Sequence, residues 1–220
     1  MEENKMPLIG DHAPEFHAMT TQGKIDFPAD YKGSWVVLFS HPADFTPVCT
    51  TEFIALSRMN ETFESLNTKL IGLSIDSLHS HLGWIKSIEA LNFNNEGKVK
   101  IPFPIIADIS MNVAKKYGML QTVANTQTVR AVFIIDPEGI IRTILYYPMS
   151  TGRNIPEIIR ILQSLQLNDK THYSTPANWQ PGDDVVMGAP LTIEEAQERL
   201  ESSDNTIKPL DWYLTMKKMK

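Results

Sequence analysis

Apolar positions along this chain fall into two rhythms, short continuous runs and stripes at steps of three and four. The run Trp35–Ser40 (WVVLFS) predicts a buried strand. Residues 47–66 place Phe53, Leu56, Met59, Phe63 and Leu66 at helical spacing, which predicts one amphipathic helix. Residues 70–75 (LIGLSI) give a second strand. Residues 80–91 give a helix with Leu82, Ile85, Ile88 and Leu91 on its apolar stripe and Ser80 as its cap. A third strand is expected over 103–107 and a short helix over 109–117, stopped by Gly118. Two further apolar runs, 131–135 and 140–146, flank Asp136-Pro137-Glu138-Gly139, a tight connection that reads as a hairpin. Asn154, Pro156 and Glu157 open a closing helix to about residue 167 in capping-box fashion. A central mixed sheet with helices on both faces, an α/β architecture, is the natural way to bury this succession.

The rhythm breaks after Asn168. The stretch THYSTPANWQPGDDVVMGAP has no clear period, an acidic helix follows over 192–201, and the chain ends on DWYLTMKKMK. With Trp179, Trp212 and Tyr213 in it, the segment reads as an arm packed on a surface, its own or a partner's. The division expected is a domain over 1–168 and an arm over 169–220 that serves for dimerisation.

Length and charge narrow the function classes. At 220 residues the chain suits one domain, or one with an appendage. Twenty Lys and Arg against 26 Asp and Glu leave a net charge of −6, which argues against nucleic-acid or anionic-membrane binding. The apolar runs fall far short of the roughly 18 residues of a membrane helix. The opening MEENKMPLIG shows neither an apolar core nor a cleavage site, so no signal peptide is expected. Cys49 is the single cysteine. It excludes an intrachain disulfide, a C-x-x-C pair and a multi-thiolate zinc site, and it fits a reducing, cytoplasmic compartment.

A lone cysteine is ordinarily a small buried hydrophobe. The setting His41-Pro42-Ala43-Asp44-Phe45-Thr46-Pro47-Val48-Cys49 gives a second reading. Thr46 suits the N-cap and Pro47 the first helical position, which puts Cys49 third, where a capping box carries Glu. Unpaired N–H groups and the helix dipole favour negative charge there, so the register favours a reactive thiolate. Thr46 offers a hydroxyl that can bond backbone or a bound oxygen. His41 reads either as a residue satisfied at a strand end or as a catalytic one.

The string SHPADFTPVCTTE resembles the active-site segment of peroxiredoxins, with Pro42, Thr46 and Cys49 matching Pro-x-x-x-Thr-x-x-Cys. Its full form is similar to the one-cysteine, type 6 subfamily, as are DSLHSHLGWI, YPMSTGRN and TPANWQPGD, in order along nearly the whole chain. The resemblance implies a thioredoxin-like fold with a C-terminal extension. It implies a peroxidase acting on hydrogen peroxide and organic hydroperoxides, with Cys49 as the nucleophile that becomes a sulfenic acid. Thr46 matches the hydroxyl that bonds the peroxide, Pro42 the residue that shields the site from water, and Arg130 the arginine beside sulfur and peroxide. His41 matches a pocket histidine, and Glu52 and Arg153 a second charged shell. By itself Arg130 is a charge at a strand entrance, and Arg153, next to Asn154, could be solvated. No cofactor is implied. Relatives form dimers through the C-terminal segment, and some archaeal ones rings of five dimers.

The chain also departs from its relatives. Where some carry a lipase-like Gly-x-Ser-x-Gly, it reads Lys32-Gly33-Ser34-Trp35-Val36, with Pro28 in place of the associated histidine, so lipase activity is not expected. No cysteine lies near the C-terminus, so the sulfenic acid has no resolving partner. It needs an external thiol, of thioredoxin, glutaredoxin or low-molecular-weight type, or it oxidises further. His79 and His81 are two apart at a helix start with no carboxylate to complete a shell, so no metal is expected. The alternatives are a peroxide sensor or holdase-like assembly with little turnover and, further off, a hydrolase using Cys49 with His41.

Overall fold

The structure, a computed structural model, describes residues 6–120 and 127–219, so residues 1–5 of the opening stretch and Lys220 lie outside it. Two compact units result, one reaching Ile155 and one beginning at Pro156.

The first unit opens with a hairpin, β1 (Phe16–Thr20) and β2 (Gly23–Phe27), which the sequence pattern did not predict. Its residues alternate in burial, and Gly23 closes the turn at φ +108°, a conformation that glycine adopts without a Cβ penalty. Then come β3 (Trp35–Ser40), α1 (Pro47–Arg58), α2 (Asn60–Ser65), β4 (Thr68–Ser74), α3 (Leu78–Ala90), β5 (Ile105–Ala107), α4 (Asn112–Lys116), β6 (Arg130–Ile135) and β7 (Ile141–Tyr147). The strands form one mixed sheet in the order β2-β1-β5-β4-β3-β6-β7. β3 runs parallel to β4 and antiparallel to β6, while β6 and β7 form the expected hairpin. The Asp136 carboxylate accepts from the N–H groups of Glu138 and Ile140 and fixes that turn. Phe16, Phe27, Val36, Leu38, Ile71, Leu73, Tyr117 and Phe133 belong to one buried cluster.

Several boundaries differ from the periodic reading. The helix expected over 47–66 breaks at Met59, whose φ of −98° and ψ of 6° turn the chain between α1 and α2. α3 starts before residue 80, because Ser77 and not Ser80 is the cap, accepting from the Ser80 N–H. Its buried face is His81, Trp84 and Ile88, and Leu82 and Leu91 are exposed. β5 is shorter than expected because Pro104, without an N–H, cannot donate to a ladder. α4 begins late, after Met111 in the left-handed region, with the Asp108 carboxylate accepting from Val113 and Ala114.

The second unit holds most of α5 (Ile155–Thr171), then β8 (Val185–Val186), α6 (Ile193–Leu200), β9 (Ile207–Pro209) and β10 (Thr215–Lys217). The stretch without a period folds into a three-stranded antiparallel sheet, β8-β10-β9. Thr192 caps the acidic helix through the Glu195 N–H. No helix among the described residues is long and apolar enough to cross a membrane.

Candidate active site

β3 lies inside the sheet between β4 and β6, and the chain leaves its C-terminal end through residues 41–46 into α1. Pro47 is the first helical residue, Thr46 the extended residue before it, and Cys49 is the third, as the register predicted. The cap itself differs. The Thr46 hydroxyl makes no bond to the helix N–H groups but donates back to the Ala43 carbonyl at 2.8 Å. Cys49 and Pro42 are buried, and Thr46 is half-buried.

Antiparallel pairing brings Arg130 to the sulfur across 81 residues of chain. With Phe39 opposite Val132, the start of β6 lies beside the end of β3. Ser40 fastens this corner, donating to the Val129 carbonyl and accepting from the Ala131 N–H. Arg130 is therefore buried and not the exposed charge that its local setting suggested. Its Nη1 lies 3.3 Å from Cys49 Sγ and 2.7 Å from Glu52 Oε2. Nε and Nη2 donate to the Met149 carbonyl at 3.0 and 2.7 Å.

Arg153 is buried as well, not solvated. Its backbone N–H and Nε donate to Glu52 Oε1, both at 2.9 Å, and Nη2 donates to Oε2 at 2.7 Å. Nη1 reaches the carbonyls of Ser40 and Ala131, and the guanidinium lies over the Phe39 ring. Burial alone would raise the Glu52 carboxyl, but Arg153 first and Arg130 after it hold it below the ordinary carboxylate range. Two guanidiniums thus face one carboxylate in an enclosed space. One positive charge is left over beside Cys49 Sγ.

His41 takes no part in that network, since among the described residues no hydrogen bond joins it to Cys49. Its Nε2 meets Asp44 Oδ1 at 2.9 Å, and its ring stacks on Trp84. Trp84 in turn donates to the Thr50 hydroxyl on α1. The carboxylate missing from the sequence reading of the histidines is Asp44. His81 Nδ1 lies 3.0 and 2.9 Å from its two oxygens, while His79 stays exposed. His41, Asp44 and His81 together form the donor set a divalent ion would take, but hydrogen bonds among themselves already engage those atoms. The sequence did hold a signal for this group: a histidine in register with Trp84 and Ile88 on one helix face. Ser34, the residue of the degenerate lipase-like string, bonds the Asn67 side chain.

Burial, outweighing the bonds from Asp44, pushes the His41 imidazole below its ordinary value near 6.5; His81 acts in the same direction, Asp76 against it. A ring that resists protonation when folded accepts a proton once unfolded, so stability falls as pH drops below about 6.5. Urea denaturation should show a lower midpoint at pH 5.5 than at 7.5, with the difference reduced in His41→Gln. An equal drop in that variant would place the linkage elsewhere.

Residues 9–144 match the model of the AhpC/TSA family, and residues 164–203 that of the C-terminal domain of 1-Cys peroxiredoxin. A peroxiredoxin of Methanosarcina mazei is 58% identical over 97% of this chain and 98% of its own. Peroxiredoxin 2 of Sulfurisphaera tokodaii is 50% identical over the full length of both. Among solved structures, a yeast mitochondrial 1-Cys peroxiredoxin has a TM-score of 0.84 at 41% identity, covering 97% of this chain and 100% of that one. Peroxiredoxin 6 of Arenicola marina, as a cysteine-to-serine mutant, has a TM-score of 0.82 at 36% identity, covering 97% and 99%. With the thioredoxin-like sheet, the C-terminal extension and one cysteine beside a buried arginine, the chain belongs to the peroxiredoxin family in its one-cysteine form, the thiol-dependent peroxidases.

Proposed function

We propose that Cys49 Sγ attacks hydrogen peroxide or an organic hydroperoxide, with Arg130, Thr46 and Pro42 forming the site around the reacting oxygens and Glu52, Arg153 and His41 supporting it. The observation that carries this reading is the unbalanced charge beside the sulfur, two buried guanidiniums against one carboxylate. The thiolate donates a lone pair to the nearer oxygen, the S–O bond forms as the O–O bond breaks, and that electron pair leaves on the farther oxygen. A proton completes water or an alcohol, and Cys49 becomes a sulfenic acid. Charge grows on the leaving oxygen, so a fixed donor aimed at it lowers the barrier. Arg130 has five N–H groups. Those on Nε and Nη1, and one on Nη2, are taken by Met149, Cys49 and Glu52, which among the described residues leaves the second N–H of Nη2 for a peroxide oxygen.

Regeneration draws on an external thiol. One thiol displaces water from the sulfenic acid to give a mixed disulfide, and a second releases Cys49 as thiol together with the reductant's disulfide. The yeast mitochondrial structure describes thiol resolution through glutathione and thioredoxin systems for that protein. A thioredoxin-, glutaredoxin- or low-molecular-weight-type thiol is the corresponding partner here, in a cytoplasmic setting. The same reading takes 1–168 as the catalytic domain and 169–220 as the arm of a homodimer, five of which could close a decamer; sedimentation velocity reads the size.

One equivalent of hydrogen peroxide added to the reduced protein should oxidise Cys49 stoichiometrically, seen by intact mass and a sulfenic-acid trap. Cys49→Ser should stay unmodified, and added thiol should restore the sulfur through repeated cycles. Oxidation no faster than that of free glutathione would sink the reading.

A further inference from the structure

We propose that Asp44 and His81 act as positioning residues, a clamp that holds the segment carrying Pro42 and Thr46 in its place ahead of α1. The proposal rests on the assignment of Cys49, Thr46 and Pro42 made above and extends it to two residues outside that set.

Residues 41–46 form a bend between β3 and α1 whose side chains must stay in register with the sulfur. Phe45, exposed, takes a φ of +54°, a region costly for a side chain with a Cβ and held only when its surroundings impose it. The restraint lies one residue earlier. Asp44 is buried, and its N–H donates to Asp76 Oδ2, itself fixed by the Ser74 hydroxyl at the end of β4. Its carboxylate takes His41 on Oδ1 and His81 on both oxygens. His81 Nε2 lies 3.1 Å from the Ile106 carbonyl on β5. The bend is thus tied through one side chain to α3 and β5, and through one N–H to the turn after β4.

Hydrogen-bond complementarity assigns the protons. A carbonyl and a carboxylate can only accept, so both ring nitrogens of His81 donate, Nε2 to Ile106 and Nδ1 to Asp44, and His81 is the imidazolium partner of that carboxylate. His41 donates from Nε2 to the same carboxylate, which leaves its Nδ1 bare; this buried atom has no partner among the described residues. Asp44 therefore fixes both the bend and the His41 tautomer. A reacting group displaced by about 1 Å can cost on the order of 100-fold in rate, and Thr46 lies two residues from the clamp.

The test separates the sulfur from the groups around the oxygens. Peroxide oxidation of Cys49 needs both, whereas alkylation by iodoacetamide needs only the thiolate. In Asp44→Ala and His81→Gln, the second-order rate constant for hydrogen peroxide should fall by about 100-fold, and that for iodoacetamide by less than about three-fold on the same scale. His81→Asn places an amide N–H near the former Nδ1, and His81→Gln near the former Nε2. Asparagine should recover most of the peroxide rate that glutamine loses, because the bond to Asp44 and not the bond to Ile106 holds the bend. Should Asp44→Ala not fold, the His81 pair decides alone. Equal rates in the two His81 variants, a parallel loss of both reactions, or no loss in either would overturn the clamp. A wild-type Cys49 no more reactive to peroxide than glutathione would sink the peroxidase reading on which the clamp depends, a result independent of any ratio between variants.

Discussion

Arg130→Gln should lower the second-order rate constant of Cys49 with hydrogen peroxide by about 100- to 1000-fold, the usual cost of removing a fixed donor from a developing oxyanion. Glutamine keeps an N–H for Glu52 or the sulfur but loses the charge and the paired donation to the Met149 carbonyl. Without it, Glu52 and Arg153 remain as a balanced ion pair joined by three hydrogen bonds. The fold should therefore tolerate the change, and the thermal midpoint should move far less than the rate. Stopped-flow oxidation at several peroxide concentrations, alongside thermal unfolding, checks both parts. A wild-type rate constant would refute the role given to Arg130.

Glu52→Gln acts in the opposite sense, mainly on stability. Its carboxylate is the counter-charge of both guanidiniums, and removing it leaves two buried like charges facing a neutral amide. Breaking a buried pair from one side typically costs about 3–5 kcal/mol, a large part of a domain's total. Urea denaturation of the reduced protein should show that loss as a lower midpoint with little change in slope. In the wild type the same loss needs acid. The carboxyl is held below its ordinary value near 4.5, so its contribution is present above that value and disappears as pH falls through the depressed one. A Glu52→Gln protein as stable as wild type would show that the arginines find compensation elsewhere.

The sequence reached the site further than its surroundings. Cap, proline and cysteine are consecutive, so the first turn of α1 could be placed by local rules alone. Arg130 could not, because the pairing of β3 with β6 is a property of the sheet, and only the family motif brought it to the sulfur. The arginines also misled local reasoning. An isolated guanidinium reads as surface, and what buries Arg130 and Arg153 is a glutamate on a different element. The β1–β2 hairpin escapes the pattern because its alternation is short and blurred in β1, where apolar Met19 is exposed and polar Thr20 is buried. The α3 stripe was placed one position off because leucine outranks histidine as a core residue in any hydropathy pattern. His81 reverses that order only because Asp44 and Ile106 satisfy both ring nitrogens.

In the proposed cycle, oxidation of the Cys49 thiolate to a sulfenic acid removes a negative charge. In the sulfenic acid, two guanidiniums again face one carboxylate, and the enclosed space holds a cation with nothing set against it. A neutral reductant entering there leaves that imbalance in place, whereas one arriving as a thiolate brings the missing charge with it. On the proposed cycle, an arginine pair so placed favours the ionised form of the external thiol, on a chain whose single cysteine leaves it no second thiol of its own to offer.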